Sequence, residues 1–120
     1  MRALASLLLD AALLLAFVLI GRRSHDEPLA GAWDTYWPFL VPLLVGWLIT
    51  AGWQAPTAVL RTGFIVWAVT VGGGVLLRLA NGQGAEPSFI VVTALVLAAF
   101  LMGWRVLAAI VRRAARPRRA

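Results

Sequence analysis

Apolar residues run almost unbroken from 3 to 20, interrupted only by Ser6 and Asp10. A transmembrane helix needs about 20 mostly apolar residues, so the pattern predicts a first span over 3–21. Three further apolar segments follow. The second, "TYWPFLVPLLVGWLITAGW", predicts a helix over 35–53 with Asp34 as N-cap and Pro38 in the first turn, where a missing N–H costs little. Pro42 lies deeper and frees the carbonyl of Pro38 from its intrahelical partner. The third predicted span, 59–79, has Arg61 near its start and Arg78 near its end, both placed to reach opposite interfaces. Its Gly72-Gly73-Gly74 run thins the helix and lets a neighbouring backbone come close. The fourth span, 88–111, opens after Glu86-Pro87 and carries small residues four apart at Ala94/Ala98 and Ala99/Gly103.

The predicted fold is therefore an all-α membrane protein. It is a single domain, 1–120, built as a four-transmembrane-helix bundle with short connections and no internal repeat. Composition agrees. The chain is 62% hydrophobic and 13% charged, against roughly 25% charged in a soluble domain. The first segment is read as an uncleaved helix rather than a secretory signal. Asp10 interrupts it, and Val18-Leu19-Ile20 stands where a cleavage site needs small residues.

The net charge of +6 comes from arginine alone, and five of the eleven arginines fall within 112–120. In a membrane protein this is a topology signal and a contact for anionic headgroups rather than for nucleic acid. A basic cytoplasmic tail, 112–120, puts the C-terminus inside, and four spans put the N-terminus inside too. Arg22, Arg23 and Arg78 then lie outside, against the bias. The expected location is the plasma (inner) membrane, with anionic lipid as partner and a homodimer as the expected assembly. Five tryptophans, Trp33, Trp37, Trp47, Trp53 and Trp104, fall near the predicted interfaces, and Trp67 falls deeper. There are no cysteines, which removes disulfides, thiolate metal sites and thiol relays. No cofactor is expected.

Asp10 is the first candidate for function. A carboxylate about seven residues into a span costs on the order of 3 kcal/mol and needs an interior partner. Arg105 lies at a similar depth from the same end, so the two meet if the first and fourth helices are neighbours. Three roles are open for Asp10: a structural ion pair, a proton-titrating or cation-binding carboxylate, or an acid bonded to a hydroxyl such as Ser6 or Thr70. By helical spacing its face runs Ser6, Asp10, Leu14, Phe17 and Gly21. One more turn reaches Ser24 and His25 in the stretch "GRRSHDEP", with Gly21 as the expected C-cap. That stretch groups Arg22, Arg23, Asp26 and Glu27 around the only histidine. It reads as a solvated turn with arginines on phosphates, as an acid–base site shuttling through His25, or as a metal site completed by Asp34.

The helix-1 Asp10 followed by Gly21, Arg22, Ser24, His25 and Asp26, and then "WPFLVPLLVGW", resembles the family called domain of unknown function 3054. The resemblance covers nearly the whole chain and implies a small membrane protein of about four helices. It brings no established activity. Small multidrug-resistance transporters share the four helices and the carboxylate in the first, but their flanking motifs and usual Glu are missing. The polar and Phe-rich filter of fluoride channels is missing as well. Three functions follow. One is a small transporter or channel coupled through Asp10, with Arg105, Arg22, Ser24, His25 and Asp26 as binding or coupling residues. Another is a structural or accessory subunit, and the third an outward-facing enzyme using His25.

Overall fold

The computed structural model describes residues 2–115. Arg116, Arg118 and Arg119 of the expected basic tail lie outside them. Four helices form the described chain: α1 Arg2–Ser24, α2 Ala32–Ile49, α3 Val59–Ala80 and α4 Pro87–Ala115. There is no strand among the described residues. Short 3₁₀ turns at Leu29–Gly31 and Gly52–Gln54 join α1 to α2 and α2 to α3.

Three helices, α1, α3 and α4, are long and apolar enough to cross a membrane. The expected second span, α2, falls short because its 18 residues open on Ala-Trp-Asp-Thr-Tyr-Trp-Pro. The outward surface is nonetheless apolar on every helix, with Leu4, Leu8, Ile20, Leu48, Leu76, Leu95 and Leu107 exposed. Water penalises such a coat and hydrocarbon does not.

Interhelical contacts fix an antiparallel order. Phe17 of α1 meets Phe39 of α2 edge-on at 6.3 Å, and Phe39 meets Phe89 of α4 at 6.2 Å. The Trp67 indole of α3 donates to the Ala94 carbonyl of α4 at 2.9 Å. Tyr36 of α2 donates to the Ala11 carbonyl of α1 at 2.8 Å. One end of the bundle, the tail end, holds the start of α1, the α2–α3 turn and the finish of α4. The distal end holds the other two connections.

In lipid, helices associate through close packing rather than through release of water. The most extensive contact, α2 against α3, uses glycine for this. A Cβ at Gly46 would lie 3.1 Å from the Val66 Cα, and one at Gly73 would lie 2.8 Å from the Pro42 ring. Gly74 is filled by the Phe39 ring. Gly72 and Gly103 meet nothing within 4 Å, so Gly103 does not pack as the Ala99/Gly103 spacing predicts.

Several boundaries differ from the sequence expectation. α1 runs three residues past Gly21, and the left-handed residue that ends the turn is Asp26, at φ 55°. Asp34 lies inside the first turn of α2, where it complements the helix dipole, and the N-cap is Gly31. α2 stops at Ile49 because Ala51 turns left-handed at φ 48° and carries Gly52 back over the Trp47 ring. α4 continues through Arg112 and Arg113, four residues beyond the predicted end. Two π-helical segments also break regular winding, Val59–Phe64 in α3 and Ala98–Met102 in α4.

Candidate functional site

Asp10 and Arg105 meet inside the bundle, both fully buried. The guanidinium grips the carboxylate as a fork, with Nη1 donating to Oδ1 at 2.9 Å and Nη2 to Oδ2 at 2.7 Å. Two indoles complete the shell. Trp104 Nε1 donates to Oδ1 at 2.7 Å, and Trp47 Nε1 donates to Oδ2 at 2.8 Å. Each oxygen thus accepts two hydrogen bonds, which fills the roughly four lone-pair positions of a carboxylate.

Arg105 is held as firmly. Its Nε donates to the Pro56 carbonyl at 2.9 Å, and Nη1 donates again to the Leu101 carbonyl at 2.8 Å. Its guanidinium carbon lies 4.6 Å from the centre of the Trp104 ring. The cluster therefore ties α1, α2 and α4 to the turn that leads into α3.

Local sequence explains how a large cation fits here. Gly63 leaves room for the arginine stem, since a Cβ there would lie 2.8 Å from Arg105 Cδ. Gly63 belongs to the π-helical start of α3, whose wider winding lets its N–H bond Ala58 O at 2.9 Å. The second π-helical segment, in α4, ends immediately before the Gly103-Trp104-Arg105 run. Such segments gather at functional sites. Trp104 and Arg105 project about 100° apart on a helix, so they approach Asp10 from two directions.

Two buried hydroxyls in the same interior, Thr70 of α3 and Thr93 of α4, have no hydrogen-bond partner among the described residues. Ser6 is buried one turn before Asp10, and no described bond joins Asp10 to Ser6 or Thr70.

The distal turn is organised by Arg22. Its Nε donates to the Pro28 carbonyl at 2.8 Å, and Nη1 donates to Thr35 Oγ1 at 2.8 Å and pairs with Glu27 Oε2 at 3.1 Å. Ser24 is exposed and bonds its own helix at the Ile20 carbonyl, 2.8 Å away. His25 is exposed too, so neither Ser24 nor His25 lies on the interior face expected for the two, and Asp26 is exposed beside them. The buried positions of α1 are Ser6, Asp10, Leu14 and Val18, and the next turn of that face is Arg22. The spacing through Phe17 and Gly21 therefore ran about one residue off the true face. Among the described residues no three His, Asp or Glu side chains gather as metal ligands, so His25, Asp26, Glu27 and Asp34 form no such group.

Sequence reasoning missed Trp47 and Trp104, which the belt pattern placed at interfaces. A usable signal existed for Trp47. It lies four residues after Leu43 and eight after Phe39, both buried, and a buried indole N–H requires an acceptor.

A family described as "Protein of unknown function (DUF3054)" matches residues 7–108, which includes every member of the cluster. No curated protein and no solved structure matches the chain.

Proposed function

The chain belongs to the DUF3054 family, and because that membership brings no activity with it, we propose from geometry that the protein is a structural or accessory membrane bundle clamped by Asp10 and Arg105. One observation carries this reading: all acceptor positions of Asp10 are occupied by fixed N–H donors. A coupling carboxylate has to receive a proton or cation, and this one has no vacant lone pair to offer. It also has a bound cation beside it already. Charged pairs of this kind fix which helices are neighbours and in what register.

The bundle spans the plasma membrane with α2 as its fourth crossing and with both ends in the cytoplasm, in this proposal. The arginine-rich sequence at the tail end supports the orientation. A chain without cysteine makes the test direct. Thr57→Cys is expected to resist an impermeant thiol reagent applied outside, and Gln83→Cys is expected to react. The reverse result inverts the orientation.

Transport coupled through Asp10 is the second reading. It is favoured by the two π-helical segments that flank Arg105 and by the unpartnered Thr70 and Thr93 hydroxyls. Winding of that kind can shift register by one residue and open the pair. Proteoliposomes decide between the readings. Proton or cation flux that is present in the wild type and lost in Asp10→Asn, with the variant still folded, establishes transport and overturns the clamp. Equal flux in wild type, variant and empty vesicles supports the clamp.

A further inference from the structure

The tail end has two adjoining concavities that the clamp does not use. One is a cleft of about 500 Å³ lined by Gln54, Pro56, Thr57, Ala58 and Arg112. The other is a groove of about 400 Å³ between α1 and α2, lined by Leu4, Leu7, Leu44, Trp47 and Leu48. Ala3 and Trp53 line both, so the cleft and the groove lie side by side. The first offers a guanidinium, an amide and a hydroxyl, and the second offers only hydrocarbon and indole faces.

Charge is distributed to match an anion at this end. Asp26, Glu27, Asp34 and Glu86 all belong to the distal end, and Asp10 is consumed by Arg105. No acidic residue lines the cleft. Arg61 stands at its edge, donating to Gln54 Oε1 at 3.1 Å. Arg112 enters it from the last turns of α4.

A polar cationic cleft beside an apolar groove at the end of a membrane bundle suits one ligand class, an anionic head with an apolar chain. We propose that it binds an anionic glycerophospholipid of the adjoining leaflet, with the phosphate against Arg112 and one acyl chain along the groove over Trp47. The chain would then rest on the indole that donates to Asp10, so an occupied site would back the clamp from the lipid side. The inference needs the tail end to meet a bilayer surface. It does not need the ion pair to be structural, and a failed clamp would leave it standing.

Lipid retention measured by native mass spectrometry tests it, on the full chain in neutral detergent with phosphatidylglycerol or phosphatidylcholine added. Phosphatidylglycerol is expected to be retained more tightly, with Arg112→Gln weakening it about fivefold, the effect of one arginine near an anionic headgroup. Arg113→Gln, one residue outside the cleft, is expected to change little. Leu48→Trp, which fills the exposed side of the groove, is expected to weaken both lipids. Equal loss in Arg112→Gln and Arg113→Gln would mean diffuse attraction to a basic surface and would overturn the site. Inorganic phosphate that displaces the lipid at millimolar concentration, with Leu48→Trp unaffected, would reduce it to an anion site and overturn the acyl seat. Retention indifferent to headgroup charge would overturn it entirely.

Discussion

Replacing Asp10 with Asn removes one negative charge and puts an amide NH₂ where a carboxylate oxygen accepted two N–H groups. In either amide orientation that NH₂ faces two donors, Arg105 Nη2 with Trp47 Nε1, or Arg105 Nη1 with Trp104 Nε1. Arg105 keeps its bonds to Pro56 and Leu101 but becomes a buried cation without a counter-charge. Breaking a buried pair from one side costs about 3–5 kcal/mol, or about a hundredfold to several thousandfold in the folding equilibrium at 1.4 kcal/mol per decade. Arg105→Met leaves the mirror problem, a buried carboxylate held by two indoles. Asp10→Asn with Arg105→Met removes both charges. It still orphans the Pro56 carbonyl and one indole N–H, at about 1–3 kcal/mol for each group that finds no new partner. The double change should therefore cost clearly less than the two single changes together. Neutral interhelical hydrogen bonds in membranes couple by only about 0.6 kcal/mol on average. A coupling above about 2 kcal/mol, read from reversible unfolding in mixed detergent micelles with Trp fluorescence as signal, identifies a buried ion pair. Additive single losses, or a coupling near the neutral value, would refute the argument that charge holds these helices together.

Six further substitutions probe the packing. Gly72→Ala should stabilise by up to about 1 kcal/mol, since it meets open space and gains helix propensity. Gly73→Ala and Gly74→Ala should each lose about 1–3 kcal/mol against Pro42 and Phe39. The same unfolding assay ranks all three, and equal effects would mean that α3 is rotated. Gly63→Ala should lose about 1–3 kcal/mol by pushing on the Arg105 stem, which is pinned at both ends. That loss should shrink in an Arg105→Met background, and a loss that stays the same there would mean Gly63 serves the α3 backbone instead. Thr70→Val and Thr93→Val remove buried hydroxyls without partners, so each should be neutral or stabilising by about 1 kcal/mol. Destabilisation by either would reveal bound water in the interior and favour the transport reading.

The limits of legibility follow a physical rule. Segments whose positions depend on hydrophobic runs were readable, as in α3, where 59–79 was expected and Val59–Ala80 is found. Ends that depend on distant contacts were not. α2 stops where the chain folds back over Trp47, and nothing local to Thr50 announces that. For the candidate site, equal depth from one end was enough to pair Asp10 with Arg105 as candidates, because an expensive intramembrane charge restricts its possible partners. Local patterning could not assign the Trp104 indole. Tryptophan at a span's edge reads the same whether it faces headgroups or a buried carboxylate.

His25 is the only histidine, but the face that carries Asp10 leads to Arg22 instead. On that one face of α1, Asp10 binds α2 and α4 near one end, and Arg22 binds Thr35 of α2 and the Pro28 turn near the other. Two buried apolar side chains, Leu14 and Val18, lie between them along the same stripe. α1 is thus fastened to α2 by a charged group near each end, with the Tyr36–Ala11 hydrogen bond and apolar contact between. Two such fasteners fix the helix against both rotation and sliding, whereas apolar packing in lipid resists either motion only weakly. In the clamp proposal, Asp10 and Arg22 are the two points that set the register of α1.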